Sequence, residues 1–553
     1  MNEVERLGAP VVRTVESRPF SDQRPGTSGL RRKVARFAEP HYLENFVQAI
    51  FDALGGVAGC TLVVGGDGRY FSDRALATIV ALAVGNGVGR LVVGRGGLLS
   101  TPAASCLIRA RGADFGVLLT ASHNPGGPDG DFGVKVNGPN GGPASPELAE
   151  RIWRASLAVE RYRIADLPAL SFDRLGEVRL GATVLEVVDP VADYAALMER
   201  LFDFERIREL FARGRFRLRF DALHAVTGPY AVEIFERRLG APPGTVLHAE
   251  PREDFGGAPP DPNPVVAAEL VALMNGDDPP DLGAASDGDG DRNLILGPGF
   301  YVNPCDSLAV LTHHARLVPG YARGLAGVAR SMPTSRAVDR VAARLGIPCY
   351  ETPVGWKYFG SLLDAGRVTL CGEESFGTGS DHLREKDGLW AVLFWLNLIA
   401  VTGKPVRALV REHWQTFGRD YFARHDYEHL DPERAAALYG ALRDRLSSLP
   451  GTQVGERTLV AADEFRYRDP VAGVESEGEG LRIFTEDGGR VVLRLSGTDT
   501  EGATLRLYFD RHETDPTRLE LAAPAALADL VAVAEEVAGI AAHTGRTRPD
   551  LAI

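Results

Sequence analysis

Four loops of this 553-residue chain gather residue types that could do chemistry, and each follows a short apolar run. Ser122 comes directly after Phe115–Leu119, in the string F-G-V-L-L-T-A-S-H-N-P-G-G. The apolar run predicts a buried strand, and Pro125 with two glycines prevents a regular continuation. A hydroxyl at the carboxyl end of a buried strand lies where open α/β sheets bind ligands. Taken alone, the string also fits an ordinary turn.

The second loop carries Asp287, Asp289 and Asp291, separated by glycines in the string S-D-G-D-G-D-R. Carboxylates at this spacing repel one another unless a cation lies between them, and glycine lets the backbone bring them together. A calcium EF-hand is excluded, because its positions 6 and 12 are Arg292 and Pro298 here. Hard oxygen ligands on an irregular loop suit Mg²⁺. A solvated acidic turn is the alternative.

The third loop is G-E-E-S-F-G, which follows a strand predicted over residues 368–371. It places Glu373 and Ser375 at another carboxyl end of a strand. Two adjacent glutamates alone usually form a solvated cap, so the loop by itself does not decide between a cap and a ligand site.

The fourth loop, S-G-T-D-T-E-G-A, joins two predicted strands, residues 490–495 and 504–509. Arg494 precedes it and Arg506 follows it. Two guanidiniums, two hydroxyls and a glycine turn with free N–H groups form a suitable phosphate cradle. A plain hairpin is the alternative.

The elements between these loops indicate the fold class. Strands at 61–65 and 90–94 alternate with a helix at 71–84, which predicts a parallel, doubly wound α/β sheet. The glycine-rich string after the second strand lacks the third glycine of a dinucleotide fingerprint, where Leu99 stands, so a Rossmann cofactor site is not expected. From about residue 421 the pattern becomes α+β. Residues 1–20 are expected to be a loosely ordered lead, and residues 190–201 a linker.

Length and composition narrow the class of protein. The chain is too long for one core, so several domains are expected. The formal net charge of −13 argues against a nucleic-acid binder. Five scattered cysteines without a C-x-x-C pair, no apolar leader and no apolar run of membrane-spanning length predict a cytoplasmic protein without a membrane anchor.

Taken together, the strings T-A-S-H-N-P-G-G, P-G-T-S-G-L-R, D-G-D-G-D-R, G-E-E-S-F-G and L-R-E-K-D-G-L-W resemble the signature loops of the phosphohexomutases, in the same order and in the glucose-specific form. The resemblance extends from about residue 20 to the end. It implies three similar α/β domains with mixed or parallel sheets and a smaller C-terminal α+β domain, arranged around a central cleft. The expected domains are residues 1–191, 192–304, 305–420 and 421–553.

The same resemblance implies a role for individual residues. The expected catalytic residues are Ser122, His123, Lys386, Arg292 and Arg31. The expected metal ligands are Ser122, Asp287, Asp289 and Asp291. The expected substrate-binding residues are Lys135, Thr352, Gly355, Lys357, Glu373, Ser375, Arg494, Ser496, Gly497, Thr498 and Arg506. Among them, His123 and Lys386 are the acid/base candidates.

For function, the resemblance implies interconversion of glucose 1-phosphate and glucose 6-phosphate by a phosphorylated Ser122. The expected cofactors are one Mg²⁺ per chain and glucose 1,6-bisphosphate, which serves as intermediate and activator. The partner is a small sugar phosphate, with no nucleic acid or membrane, and the chain is expected to be a monomer or a weak homo-oligomer. The alternatives are a mutase for another sugar phosphate, a glucose 1,6-bisphosphate synthase, and a non-catalytic structural relative.

Two carboxylates beside the fourth loop depart from the family pattern. Asp499 and Glu501 stand where small neutral residues are usual, and their repulsion of phosphate would cost on the order of 1 kcal/mol. We expect weaker substrate affinity with unchanged chemistry. Replacing both, as Asp499→Gly and Glu501→Ser, should lower KM for the sugar phosphate in steady-state assays. An unchanged KM would contradict this expectation.

Overall fold

The computed structural model describes residues 5–26, 28–498 and 502–553. Four sheets follow one another along the chain, with eight, five, four and seven strands, beside two small two-stranded sheets. Helices pack on the first three sheets, and these sheets mix parallel and antiparallel pairs. The fourth sheet is antiparallel throughout its described strands. The predicted fold class is therefore confirmed.

The first sheet carries the serine loop. Its strand Phe115–Leu119 is buried at every residue, as expected of a strand covered on both faces. Its neighbour Thr61–Gly66 runs parallel to it. In spatial order, the strands are Glu5–Leu7, Gly176–Leu180, Thr183–Val188, Arg90–Leu98, Thr61–Gly66, Phe115–Leu119, Asp131–Asn137 and Leu30–Lys33. The helices are Val34–Phe37, Tyr42–Ala53, Ser72–Gly85, Thr101–Arg111 and Pro146–Ser156.

The second sheet carries the aspartate loop. The strand Leu282–Ala285 lies parallel to Leu218–Asp221 and antiparallel to Leu294–Gly297. The aspartate loop is therefore the turn that connects Leu282–Ala285 to Leu294–Gly297. In spatial order, the strands are Val246–Leu247, Leu218–Asp221, Leu282–Ala285, Leu294–Gly297 and Phe300–Tyr301. The helices are Ala192–Leu201, Phe204–Ala212, Thr227–Ala231, Val232–Arg238 and Ala268–Met274, with a short turn Phe255–Gly257.

The third sheet carries the glutamate loop, which joins the strands Leu370–Glu373 and Gly377–Ser380. The helix Gly388–Thr402 follows, capped by the Asp387 side chain, which accepts from the backbone N–H of Trp390. In spatial order, the strands are Cys349–Thr352, Val328–Ser331, Leu370–Glu373 and Gly377–Ser380. The helices are Pro304–His314, Ala337–Leu345, Trp356–Asp364, Gly388–Thr402 and Val406–Phe417, with short turns Ala315–Leu317 and Pro319–Tyr321.

The fourth sheet carries the arginine-flanked hairpin. In spatial order, its strands are Gln453–Val454, Arg457–Glu464, Leu481–Thr485, Arg490–Thr498, Gly502–Glu513, Arg419–Leu430 and Leu551–Ala552. The helices Pro432–Arg445, Ala523–Ala538 and Ile540–Thr544 pack on one face, and Leu446–Ser448 is a short turn. The paired strands Val12–Glu16 with Arg161–Ala165, and Tyr467–Arg468 with Glu475–Ser476, form the two small sheets.

Two predictions about segments are wrong. The lead expected over residues 1–20 contains the strands Glu5–Leu7 and Val12–Glu16, each paired with a later strand of the same domain. The linker expected over residues 190–201 is the helix Ala192–Leu201, which buries Tyr194, Ala195 and Met198 on one side. The partners of the two strands lie far away in the sequence, and the helix buries only three of its ten residues. Local pattern therefore underestimated the order of these segments.

No single helix among the described residues is long and apolar enough to cross a bilayer. The helices Gly388–Thr402 and Val406–Phe417 reach the required length only as a pair, across a bend of 84°. The first of the two is a core helix, buried over Gly388–Ile399.

A buried carboxyl in the third domain makes stability depend on pH. Burial raises the pKa of Asp306 to about 7, although Arg419 and the indole of Trp414 oppose the shift. The contribution of Asp306 to stability is therefore most favourable below the unfolded-state pKa of about 4 and becomes less favourable as the pH rises towards 7. We expect Asp306→Asn to be more stable than the wild type at pH 8 by about 1–4 kcal/mol, and the difference to shrink towards pH 4. Urea unfolding at several pH values measures this. A difference independent of pH would contradict it.

Candidate active site

Ser122 is held in an uncommon backbone conformation at the centre of the site. Its φ of 55° lies in the left-handed region, which is costly for a residue other than glycine, asparagine or aspartate. Its hydroxyl donates to Asp287 Oδ2 at 2.9 Å and lies 3.3 Å from His123 Nδ1. The serine oxygen therefore faces the aspartate loop of the second domain across the domain boundary.

A buried ion pair that the sequence analysis did not identify supports the serine loop. Arg69 pairs with Asp67 at 2.9 Å, with both side chains fully buried, and donates to the carbonyl of Ser122 at 2.7 Å. Thr120 donates to Asp67 Oδ2 at 2.6 Å and accepts from the backbone N–H of Ser122 at 2.7 Å. The local signal was an Asp and an Arg two residues apart after a strand, which alone is also typical of an ordinary turn.

Removing the arginine of this pair should damage both folding and activity. In Arg69→Gln, the carboxylate of Asp67 stays buried without its cation, and Ser122 loses a carbonyl partner. We expect a loss of about 3–5 kcal/mol in the free energy of unfolding, with reduced activity in the fraction that folds. Arg74→Gln, a nearby arginine that lies over the Phe71 ring, is the control and should change stability by less than about 0.5 kcal/mol. Equal stability of the two variants would contradict the prediction.

The three aspartates of the second loop converge as predicted. One carboxylate oxygen from each of Asp287, Asp289 and Asp291 lies within 4.8 Å of the others, and all three residues are buried. Gly290 supplies the positive φ of 83° that the tight turn requires. At Gly288, an added Cβ would lie 2.3 Å from the carbonyl oxygen of Ser122, so only glycine allows the two loops to approach this closely.

The electrostatics of this cluster fit a bound cation. Burial, together with repulsion by Asp291 and Asp289, raises the pKa of Asp287 well above its ordinary value. Oδ1 of Asp289 has no hydrogen-bond partner among the described residues, and Oδ1 of Asp291 makes an ion pair with Lys386 Nζ at 3.2 Å but no hydrogen bond there. Buried hard oxygens without donors are costly unless a cation binds them. The cluster can therefore hold a divalent metal, and the Ser122 oxygen lies beside it.

Positive side chains surround the serine. Burial lowers the pKa of His123 well below its ordinary value, and the charges of Arg292, Arg31 and Lys386 add to the effect, so the imidazole is neutral. Burial also acts to lower the pKa of Lys386, but Asp291, whose Oδ1 lies 3.2 Å from Nζ, outweighs it, and the pKa is raised. The structure thus brings these predicted catalytic residues together and distinguishes a neutral imidazole from a charged amine.

The glutamate loop is tied to the aspartate loop by backbone and side-chain hydrogen bonds. Asn293 donates its backbone N–H to the carbonyl of Phe376 at 2.8 Å and its amide to Thr378 Oγ1 at 2.8 Å. The N–H of Gly388 donates to the carbonyl of Gly290 at 3.0 Å. The two loops therefore form one continuous wall, which we call the metal–sugar wall.

Glu373 projects into this region from the end of its strand. Its Oε1 accepts from the backbone N–H of Gly355 at 3.2 Å, while Ser375 is half-buried in the next turn. Burial raises the pKa of Glu373, although Lys386 opposes the shift. Thr352 is buried at the end of the strand Cys349–Thr352, two places from the strand of Glu373 in the same sheet, and its hydroxyl donates to the carbonyl of Pro353 at 3.0 Å.

Lys357 lies apart from the other predicted substrate-binding residues. It lines a cavity of about 400 Å³. The walls of this cavity are the segment 140–147, the helix Trp356–Asp364 and residues 469–476 of the fourth domain. No other predicted site residue is among those that line this cavity within the described chain.

Lys135 forms an ion pair with Glu385, a residue that the sequence analysis missed. Its Nζ lies 2.5 Å from Glu385 Oε1, and the pair bridges the first and third domains.

The fourth domain presents the predicted phosphate cradle. Arg494 and Arg506 are directly opposite each other on neighbouring strands, and Arg494 Nε donates to the carbonyl of Glu479 at 3.2 Å. The hydroxyl of Ser496 donates to the carbonyl of Thr504 at 3.4 Å. The strands extend further than predicted, through Thr498 and from Gly502, so Gly497 and Thr498 belong to the hairpin arms. Asp499 and Glu501 lie outside the described residues.

Family models cover nearly the whole chain. The alpha/beta/alpha domains I, II and III of phosphoglucomutase/phosphomannomutase match residues 22–163, 192–298 and 304–417. The C-terminal domain of phosphoglucomutase-1 matches residues 419–550. The chain belongs to the phosphoglucomutase/phosphomannomutase family. This confirms the predicted resemblance, and a member of this family is an enzyme of the isomerase class.

Individual members of the family are similar to this chain over nearly its full length. A phosphoglucomutase of Rhizobium radiobacter is 54% identical over 539 residues, which cover 98% of this chain and 99% of the relative. A probable cytoplasmic phosphoglucomutase of Arabidopsis thaliana is 48% identical, covering 97% of this chain and 98% of the relative. The crystal structure of the Paramecium phosphoprotein pp63/parafusin, a phosphoglucomutase in an open form, superimposes with a TM-score of 0.92 at 42% identity and covers 99% of this chain and 100% of that one.

Proposed function

We propose that the chain interconverts α-D-glucose 1-phosphate and glucose 6-phosphate through a phosphorylated Ser122 and a glucose 1,6-bisphosphate intermediate. The observation that carries the proposal is the position of the Ser122 hydroxyl, 2.9 Å from Asp287 in a convergent set of three carboxylates. Relatives named phosphoglucomutase, which match over nearly the full chain, supply the substrate. The residues proposed to act are those assigned by the sequence analysis.

The proposed reaction moves one phosphoryl group at a time. The phosphoryl group leaves the oxygen of Ser122 for the free hydroxyl of the sugar monophosphate, whose proton passes to a base. The bisphosphate then turns around, and its other phosphoryl group returns to Ser122. His123 is the better base because its imidazole is neutral, whereas Lys386 keeps its proton and neutralises phosphate charge. Arg292 and Arg31 add positive charge around the group in transfer.

The aspartate cluster fits Mg²⁺, held by Asp287, Asp289, Asp291 and the Ser122 oxygen or its phosphate. When bound, this ion would offset negative charge on the transferring group. One Mg²⁺ per chain follows from the single described cluster of this kind. Lys386 lies beside this cluster through Asp291, so the protein places a fixed cation where phosphate arrives.

Substrate selection is proposed for the two remaining loops. Glu373 and Ser375 would bind sugar hydroxyls, with Thr352 and Gly355 behind them. Lys135 would act from the domain boundary and Lys357 from the adjoining cavity. Arg494, Ser496, Gly497, Thr498 and Arg506 would hold the phosphate that does not react. Because either end of the sugar must reach the serine, this cradle accepts both phosphates in turn.

A substrate panel tests the proposal. Glucose 1-phosphate, mannose 1-phosphate and ribose 1-phosphate are assayed with Mg²⁺ and a trace of the matching bisphosphate, with glucose 6-phosphate detected through its dehydrogenase and the other products by chromatography. We expect kcat/KM to be highest for glucose 1-phosphate. A higher value for another sugar would favour the alternative mutase. Accumulation of glucose 1,6-bisphosphate as an end product would favour the synthase.

The remaining assignments are coarser. We propose domain boundaries near residues 191, 304 and 420, a monomer or weak homo-oligomer, and a small sugar phosphate as the partner, with no nucleic acid or membrane. We propose a cytoplasmic location. Two relatives that are named cytoplasmic phosphoglucomutases support it, although a chloroplastic relative matches as well.

A further inference from the structure

The inner face of the fourth sheet carries an arginine beside the predicted phosphate cradle. In the strand Arg419–Leu430, Asp426 lies opposite Arg506, and Arg424 lies opposite Tyr508. On the other side, Arg506 lies opposite Arg494. Side chains two residues apart share a face of a sheet, so Arg424 and Tyr508 form a second row next to the row of Asp426, Arg506 and Arg494.

Several polar atoms in these two rows are unsatisfied. Nε of Arg424, Nε of Arg506 and both carboxylate oxygens of Asp426 have no hydrogen-bond partner among the described residues. Asp426 is 1% exposed, and its oxygens lie 3.1 Å from Arg424 Nε and 3.5 Å from Arg506 Nε without hydrogen-bond geometry. Buried donors are normally paired, so the two guanidiniums, which share one carboxylate, keep donors for a further ligand.

The surroundings favour an anion as that ligand. The hydroxyl of Tyr508 is buried, and three positive charges, those of Arg494, Arg506 and Arg424, act on it beside the one carboxylate of Glu374. The charge of Arg424 also acts on Arg292 of the aspartate loop, so Arg424 lies within electrostatic range of the serine site. A guanidinium presents several donors in a fixed fork that matches the oxygens of a phosphate, and one carboxylate cannot use all of them.

The backbone of Arg424 is fixed by the end of the chain. Its N–H donates to the carbonyl of Ile553 at 2.8 Å, and its carbonyl accepts from the N–H of Ile553 at 2.9 Å. The next pairing of the same two strands joins His425 to Ala552. A side chain on a backbone held from both sides needs little reordering to bind a ligand.

We propose that Arg424 is a further phosphate-binding residue of the cradle, and that Asp426 is a positioning residue that aligns Arg424 and Arg506 for the same phosphate. The inference rests on the proposed function only for the identity of the sugar. The phosphate group is the ligand chemistry that these residues recognise.

Inorganic phosphate is the probe, because its binding requires no turnover. Isothermal titration of the full chain at one fixed, low salt concentration compares the wild type with Arg424→Gln and Arg424→Lys. We expect Arg424→Gln to bind phosphate about 10- to 100-fold more weakly, and Arg424→Lys to recover part of the loss through its single charge. Arg457→Gln is the control. That arginine lies in the same sheet but pairs with Asp487 and Asp529, and the variant should bind phosphate like the wild type.

The role of Asp426 requires a readout other than stability. Asp426→Asn should weaken phosphate binding and raise KM for glucose 1-phosphate while leaving kcat nearly unchanged. In the double variant Asp426→Asn with Arg424→Gln, the losses should be less than additive, because the aspartate acts partly through Arg424. Fully additive losses, or a fall in kcat alone, would overturn the positioning role.

The outcomes separate this inference from the proposed function. Phosphate affinity that is equal in the wild type and Arg424→Gln, or a wild type that binds no phosphate at tens of millimolar, would overturn the inference. Phosphate binding that depends on Arg424 in a chain without turnover of glucose 1-phosphate would support the inference and reject the proposed function. Thermal unfolding of each variant confirms that the proteins compared are folded.

Discussion

Turnover of glucose 1-phosphate should fall by at least about 10³-fold when Ser122 is replaced by alanine. The substitution removes the oxygen that carries the phosphoryl group and leaves the surrounding charges in place. Binding of the sugar phosphate should therefore persist. The measurement is the coupled assay with Mg²⁺ and a trace of glucose 1,6-bisphosphate, together with intact-protein mass after incubation with the bisphosphate.

The mass measurement gives the more direct reading. The wild type should gain the mass of one phosphoryl group, and Ser122→Ala should gain none. Ser156→Ala is the control, since that hydroxyl only donates to the carbonyl of Trp153 at the end of a helix. It should keep full activity and the same gain in mass. If Ser122→Ala retained activity or became phosphorylated, another residue would have to carry the phosphoryl group.

Asp287→Asn should separate catalysis from folding. The variant keeps the shape of the side chain, so an amide oxygen can still accept from the N–H groups of Asp291 and Arg292. It removes one charge from the metal cluster, and we expect activity with Mg²⁺ to fall by about 10²–10³-fold. Asp278→Asn, at an exposed aspartate paired with Arg217, is the control and should leave activity unchanged.

The stability of the same variant should depend on metal and on pH. Because the folded-state pKa of Asp287 is raised, its destabilising effect is absent at low pH and grows as the pH rises through that pKa. Without metal, Asp287→Asn should therefore melt at a higher temperature than the wild type at alkaline pH. With saturating Mg²⁺ the order should reverse, since only the wild type gains the full binding energy. If the wild type were the more stable protein in EDTA, repulsion within the cluster would not be the dominant effect.

The part of the fold that sequence predicted well is the part with strong local periodicity. The strand Phe115–Leu119 was predicted with its observed bounds, because an uninterrupted apolar run before a polar turn leaves few alternatives. Sequence analysis did not identify the break at Gly539, which adopts a left-handed conformation between the helices Ala523–Ala538 and Ile540–Thr544. Such a break depends on packing against the sheet as much as on the residue.

The candidate site was predictable in its loops and less so in its supports. The aspartates were identified because their spacing has a chemical meaning by itself. By contrast, Asp67, Arg69, Glu385 and Arg424 each depend on at least one partner that lies far away in sequence. Glu385 meets Lys135 across 250 positions, and Arg424 meets the last residue of the chain. Contacts of this kind depend on the tertiary fold and cannot be predicted from composition or periodicity.

The metal–sugar wall limits how this scaffold could be redesigned. A transplant of the G-E-E-S-F-G segment from a relative with another preference would also change the backbone that positions the carbonyl of residue 376, which accepts from the N–H of Asn293 directly after the aspartate loop. A change in sugar preference would then be accompanied by weaker metal binding, even though the two loops belong to different domains. The smallest exchangeable unit is therefore the pair of loops, and a library that varies only one of them samples mostly damaged enzymes.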